Sequence, residues 1–405
     1  MSTPTLSLAD RFDPRRNNLT VQRLILAGVV VLVHGQSLSS DTQPSVFRAD
    51  LGELAVDGFF VLSGFLVTRS ALRLDSVRRF AWHRALRILP GFWACLLVTG
   101  LVVAPLLAVL EGRSALSVFT GPDSAPQYVL RNGALLIRQF GISGLREDEF
   151  MPGVMDGSLW SLFYEAICYA AVGALALAGV LVPRPTPVGG RHSAHPLRLL
   201  VHRRSLVAVV VAGLWVTLVL DKLGVAVPMH MGRQMTFVFL IGALAQLYAE
   251  HIPMDWRLAA VGAMIWLGSC ALMHEYRLVG GLAFGYLLLW LAAAARVIPQ
   301  PRADLSYGVY MYHWPIDTIL LGLGLGAAGL PVFLVCSAVL TAAVAAGSWF
   351  VIESPALRFK NVRWVQRPGL RSRSGGTVPD AAAPGYGAPH PSAHAWGSER
   401  TPARR

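Results

Sequence analysis

Charge is scarce in this chain. Only 14% of its 405 residues are Asp, Glu, Lys or Arg, while 54% are apolar, which excludes an ordinary soluble domain and points to a polytopic membrane protein. Lysine is nearly missing: Lys222 and Lys360 stand against abundant Arg, Ala, Val and Gly, a composition that suggests a high-GC bacterial source. Cysteine is limited to Cys95, Cys168, Cys270 and Cys336, each inside an apolar stretch, so no disulfide or metal framework is expected. A cleavable signal is lacking too. The first apolar run begins near residue 19, follows several charges and has no small-residue cleavage site, so it is expected to stay as the first helix. No internal repeat is evident, which counts against an inverted-repeat transporter.

What the chain does have is a succession of apolar runs long enough to span a bilayer. They cover 19–38, 52–71, 88–110, 158–182, 205–221, 233–249, 257–273, 278–298, 305–326 and 331–353. The expected fold is therefore all-α, a transmembrane bundle of about ten helices in a bacterial plasma membrane. Basic residues concentrate in cytoplasmic loops, and placing the amino terminus inside puts roughly three-quarters of them on that side. An even number of spans then leaves both termini cytoplasmic. The net charge of +12 needs no nucleic acid, because anionic lipid and an anionic substrate are sufficient partners. Three regions follow: a cytoplasmic segment 1–18, a membrane domain 19–358, and a basic tail 359–405 that lacks the apolar content to fold and is expected to be disordered.

Two long loops interrupt the helices. The outer one, 111–157, combines Gly-Pro-Asp-Ser-Ala-Pro at 121–126, an Arg-bearing apolar piece at 128–141 and the acids Glu147, Asp148 and Glu149, a mixture suited to an interfacial or re-entrant helix over a cavity. The other, 183–204, is Pro-rich and basic and reads as a flexible cytoplasmic linker.

Ionisable groups at membrane depth are costly and point to function. Arg23 and His34 share the first apolar helix, with ten residues between them and about 16 Å along its axis, which sets a guanidinium near one face and an imidazole deep in the bilayer. Asp57 lies near the end of the second span that His34 also approaches, where a carboxylate can orient an imidazole. Arg84 and Arg87, three apart on one helix face, form a paired site suited to phosphate, although basic residues beside a membrane helix ordinarily only fix topology. Glu165 sits about two turns into an apolar helix among Trp160, Tyr164 and Tyr169. His313, inside an aromatic stripe from Tyr307 to Trp314, is a weaker candidate than His34.

Taken in order, these segments resemble the membrane acyltransferase-3 family. Arg23 and His34 match its arginine, ten residues, histidine signature; Asp57 to Leu66 resembles its Asp-Phe-Phe-Val-Leu-Ser-Gly-Phe-Leu segment, with Gly58 inserted. Arg84 and Arg87 match its paired arginines, Ser158 to Glu165 its Ser-Leu-Trp and glutamate, Leu305 to Pro315 its Ser-Tyr and His-Trp-Pro, and Glu353-Ser354-Pro355 its last helix end. One departure is that Glu165 is followed by Ala166, where larger relatives carry two adjacent acids. The chain also lacks their Gly-Asp-Ser block, so a stand-alone transferase domain is expected.

The resemblance implies acyl transfer from a cytoplasmic acyl-coenzyme A, acetyl-coenzyme A by default, to a hydroxyl of a saccharide or glycosylated small molecule, with no permanently bound cofactor or metal. His34 would be the general base, with Asp57 or Glu165 fixing its tautomer. Arg84 and Arg87, with Arg23, would hold the donor's phosphates, and Trp160, Tyr164 and His313 would line the binding region. The rival reading from these residues alone is a proton-coupled transporter or flippase in which His34, Asp57, Glu165 and His313 form a relay.

Overall fold

The computed structural model describes residues 6–40, 42–74, 76–147, 151–178, 181, 203–295 and 297–362. Of the expected linker 183–204, residues 183–202 lie outside the described residues, while Arg203 and Arg204 open a helix. Of the expected disordered tail 359–405, residues from 363 onward lie outside, while Phe359–Asn361 form a helical turn. Asp148 and Glu149 also lie outside. A helical turn α1 (Leu8–Arg11) is followed by α2 (Leu19–Ser40), α3 (Leu51–Arg73), α4 (Val77–Val98), α5 (Ala104–Leu110), α6 (Ala125–Asn132) and α7 (Trp160–Leu177). Then come α8 (Arg203–Lys222), α9 (His230–Leu247), α10 (Trp256–Leu272), α11 (Arg277–Ala293), α12 (Ser306–Gly322), α13 (Leu330–Ser348) and α14 (Ser354–Arg358). A two-stranded hairpin, Ser45–Val46 with Ala49–Asp50, joins α2 to α3.

A helix forms on each of the ten apolar stretches, because only helices and closed barrels satisfy their own backbone in lipid. Six helical stretches among the described residues are long and apolar enough to cross a membrane, and α10 and α11 are shorter apolar helices. Large apolar side chains point outward: Leu101, Val102 and Val109 on one wall, Val335, Val339 and Leu340 on another, are all exposed. In water such walls would be aggregation surfaces; in lipid they are the expected exterior. The chain is an integral membrane protein.

Two prolines set the shape of the longest helices. Pro105 and Pro355 each lack an N–H and crowd the carbonyl four residues back, at Leu101 and Val351. Those carbonyls lie inside π-helical turns, Thr99–Val103 and Trp349–Glu353, which take up the misfit so that α4 runs into α5 and α13 into α14. The sequence reading began the third span at 88. The helix begins three turns earlier, carrying Arg84 and Arg87 on an ordered surface.

The inner packing depends on close backbone approach. α3 and α9 cross where a Cβ on Gly64 would stand 1.9 Å from the Phe239 carbonyl oxygen, and one on Gly242 would stand 1.9 Å from that of Val61. Only glycine fits at both positions. Beside this crossing, Arg277 at the start of α11 is 1% exposed and binds Asp57 of α3 through Nε at 2.6 Å, Glu275 at 3.0 Å and Glu53 at 3.1 Å. Tyr276 donates a short hydrogen bond to the same Asp57 carboxylate, and Gln234 of α9 donates to Glu275. A buried ionic knot thus ties α3, α9 and α11 together.

The loop 111–157 is ordered around Asn132 and Gln139. Asn132 accepts from the backbone N–H of Arg138 and Gln139, while the Gln139 amide donates to the carbonyls of Asp123 and Gly141. α6 is the only helix of the expected piece that forms there among the described residues, and it packs on the π turn, with Val129 against Gly100.

Candidate active site

α2 and α12 meet through two histidines. His34 Nδ1 lies 2.8 Å from His313 Nε2, and the rings are nearly parallel, with centroids 5.0 Å apart. His313 Nδ1 is 2.8 Å from the Tyr310 carbonyl, one turn back on its own helix. A carbonyl can only accept, so Nδ1 of His313 carries a proton. In the neutral ring Nε2 then accepts, and His34 donates from Nδ1. The remaining nitrogen of His34, Nε2, is left with a lone pair and no protein hydrogen bond among the described residues.

The helix that carries His313 is altered locally by a proline. Pro315 lacks the N–H that would bond the Met311 carbonyl, and the Cys95 thiol, 3.5 Å away, donates to that carbonyl instead. Trp314, next in the helix, packs edge-on to His34 at 4.9 Å, and its indole donates to the Val154 carbonyl at 3.2 Å. Gly157 lies flat against the Trp314 ring, where a Cβ would meet it at 2.5 Å. The loop 111–157 therefore closes over the histidine pair through Val154 and Gly157.

A cavity of about 90 Å³ lies on the other side of Tyr310, between α2, α3, α4, α7 and α12. Arg23, Arg84, Arg87, Ser63, Glu165 and Tyr169 line it, and Phe59 and Tyr310 close its inner end. Tyr310 is tied by Ser161 at 2.7 Å and itself donates to the Ser158 carbonyl; its ring centroid is 6.3 Å from that of His313. The cavity and the histidine pair are thus neighbours across one aromatic ring.

Most of the sequence-named residues converge here, but not all in the roles expected. Asp57 does not bond to His34: the buried Arg277 guanidinium would otherwise be an uncompensated charge, and it takes both Asp57 oxygens. Glu165 accepts from Ser63 at 2.9 Å and from Tyr169 at 2.5 Å, and it does not bond to His34 either. The group that orients His34 is His313, ranked lower from sequence. Arg23 and Arg87 converge on one Asp304 oxygen at 2.7 and 2.6 Å, and Ser306 holds the other oxygen. These two guanidiniums hold the Asp304 carboxyl well below the usual carboxylate range. Arg84 lies over the Tyr169 ring at 5.7 Å. Trp160 and Tyr164 stack on each other edge-on outside the cavity lining, with Tyr164 against Gly232.

Four acids were passed over. Asp304 stands one residue before the quoted Leu305–Pro315 segment, and its place between two arginines required the tertiary fold. Glu275, beside Arg277, belongs to the ionic knot. Asp156 is buried, accepts from Ser158, has the Cys95 sulfur 3.5 Å away, and burial pushes its pKa up to about 7. Asp317, one turn beyond His313, is wholly buried against Gly35; neither carboxylate oxygen completes a hydrogen bond among the described residues, and Arg146 is the cation acting on it. Its i, i+4 spacing from His313 was a readable signal.

A helical membrane protein with an oriented imidazole beside an arginine-lined cavity has the groups an acyl-transfer enzyme needs. The chain belongs to the acyltransferase-3 family, whose acyltransferase domain matches residues 16–350. It is similar to nodulation protein 10 of Rhizobium leguminosarum bv. viciae, 27% identical over 382 residues, covering 85% of this chain and 94% of that one. It is also similar to the O-acetyl transferase of Shigella phage Sf6, 24% identical over 318 residues, with 76% and 86% covered. A third relative is the exopolysaccharide production protein ExoZ of Rhizobium meliloti, 26% identical over 350 residues, with 80% and 95% covered. No solved structure matches the chain. Family membership decides between the two readings of the buried ionisable groups: the protein is a membrane O-acyltransferase, not a transporter.

Proposed function

We propose that the protein moves an acetyl group from cytoplasmic acetyl-coenzyme A to a hydroxyl of a saccharide or glycosylated acceptor, in a bacterial plasma membrane with both termini inside and about ten spans. The observation that carries this reading is the chain His34, His313, Tyr310 carbonyl, which leaves His34 Nε2 as a free base, with the Tyr310 ring between the histidine pair and the cavity.

A thioester is already activated, whereas a sugar hydroxyl is a poor nucleophile at neutral pH and needs a base within hydrogen-bond reach. His34 Nε2 takes the hydroxyl proton as the oxygen attacks the thioester carbonyl carbon. The tetrahedral intermediate then expels the coenzyme A sulfur, which receives the proton from His34. The ester bond forms as the carbon–sulfur bond breaks, and the imidazole ends as it began. His313 accepts the Nδ1–H bond throughout and so stabilises the imidazolium, the part Asp57 or Glu165 was expected to play.

Arg23, Arg84 and Arg87 guide the donor's polar arm into the cavity, and Glu165 anchors Ser63 and Tyr169 on its wall. The relatives named for O-acetyl transfer and for exopolysaccharide production support an acetyl donor and a saccharide acceptor.

The test is mass spectrometry of cell-envelope glycans and secreted glycosylated metabolites from cells carrying the wild-type gene, the His34→Ala gene or neither. Acetylated species should appear with the wild type alone. Acetylation that persists with His34→Ala at normal membrane levels would contradict the reading.

A further inference from the structure

A second, larger cavity adjoins the first. It measures about 480 Å³ and lies between the ends of α2 and α3 and the segment before α12, with Arg23 and Leu66 lining both cavities. Its other walls include Arg15, Arg69 and Arg73, with Phe12 and Leu19 as apolar floor. No carboxylate lines it.

Apart from Arg23, which pairs with Asp304, the guanidiniums there have no ion pair among the described residues. Among the described residues Arg15, Arg69 and Arg73 form no ion pair, and the Asp13 carboxylate nearby accepts the backbone N–H of Arg15, not its guanidinium. Arg69 and Arg73 are four apart on one helix face, where like charges repel, and Arg73 is the charged neighbour acting on Arg69. Arg69 is nonetheless held in place, its guanidinium 4.7 Å from the centre of the Phe12 ring, which in turn packs edge-on to Phe65 at 5.0 Å. Three guanidiniums around an acid-free cavity of ligand size, one of them held by an aromatic ring, form a site for a polyanion. The inner arginines differ: Arg23 and Arg87 already share Asp304.

We infer that this outer cavity binds the phosphorylated nucleotide end of the acyl donor, with Arg15, Arg69 and Arg73 on the phosphates, while the inner cavity takes only the slender thioester arm. The inference rests on the acyl-coenzyme A reading above and moves the phosphate site outward from Arg84 and Arg87. Phosphate in an anionic lipid headgroup shares the chemistry. The shared lining at Arg23 and Leu66 favours the donor, since it gives a tail attached to the bound phosphate a direct path inward.

The test uses the full-length protein in nanodiscs of zwitterionic lipid and of phosphatidylglycerol. Coenzyme A binding and the KM for S-acetylpantetheine, a donor without the nucleotide, are measured for wild type and for Arg15→Gln/Arg73→Gln, which leaves the Arg69 stacking intact; Arg69→Gln is the second variant. Charge-assisted contacts of this kind are worth about tenfold each. Coenzyme A should bind the double variant at least about tenfold more weakly in both lipids, with the KM for S-acetylpantetheine unchanged. Unchanged coenzyme A affinity would overturn the inference and leave the donor reading standing, as would a loss confined to phosphatidylglycerol, which marks a headgroup site. Equal weakening of both donors would also overturn it, because the inner cavity would then have been disturbed. A wild type that binds no coenzyme A would remove the donor reading and this inference together.

Discussion

His34 depends on a partner that is itself a histidine. A carboxylate would hold the imidazole more strongly, but an ionised acid at that depth needs a cation, and the two acids expected in that role have other partners: Asp57 with Arg277, Glu165 with Ser63 and Tyr169. A neutral imidazole backed by a main-chain carbonyl orients His34 without adding charge. His313→Phe should therefore lower kcat by about a hundredfold or more with little change in the KM for either substrate, because the tautomer of His34 is no longer fixed. An unchanged kcat in the purified variant would show that His313 does not position the base.

Asp156 gives a prediction of a different kind. Its carboxyl, at about 7 in the fold against 3.8 in an open chain, holds a proton that the unfolded chain releases. Folding therefore takes up a proton between those values, and this group makes the protein less stable as pH rises from about 4 to about 7, with no further loss above. Asp156→Asn should flatten that part of the profile, measured as the thermal midpoint in detergent across the range; an unaltered slope would rule out Asp156 as its source. From sequence, single ionisable residues in apolar runs were legible as important. Their pairings were not, since Asp304 lies more than two hundred residues from Arg23 and from Arg87, and Arg277 equally far from Asp57.

Helices were legible nearly to their ends, because apolar runs of spanning length have few alternatives in lipid. What hydropathy does not record is the local device inside a helix. The π turns before Pro105 and Pro355 leave the apolar pattern unbroken, and the extension of α4 back to Val77 adds residues too basic to count as span. Gly64 in the second span permits close contact, and its partner Gly242 is set by the crossing of α3 and α9. Gly242→Ala forces a Cβ into the Val61 carbonyl, so the two helices must separate. Loss of most properly folded protein on size-exclusion chromatography is the expected outcome, or a destabilisation of about 2 kcal/mol or more where the protein is recovered. Wild-type yield and thermal midpoint would show that the crossing tolerates a methyl group.

Across the molecule, polar groups are arranged in sequence from one end to the other. The outer basic cavity leads to the inner arginines at Asp304, then to the wall formed by Ser63, Glu165 and Tyr169, then past Tyr310 to the histidine pair under the loop that carries Val154 and Gly157. A donor entering from the arginine end and an acceptor arriving from the loop end would meet at His34, so the activated acyl group need not cross the bilayer as free coenzyme A ester. The most direct check is coenzyme A release from acetyl-coenzyme A by purified protein in nanodiscs, with and without a saccharide alcohol, for wild type and His34→Ala. Release should rise with the alcohol in the wild type and fall by about a hundredfold or more in the variant, while both proteins bind coenzyme A equally. Alcohol-dependent release at the same rate from His34→Ala would contradict the claim that this imidazole is the base.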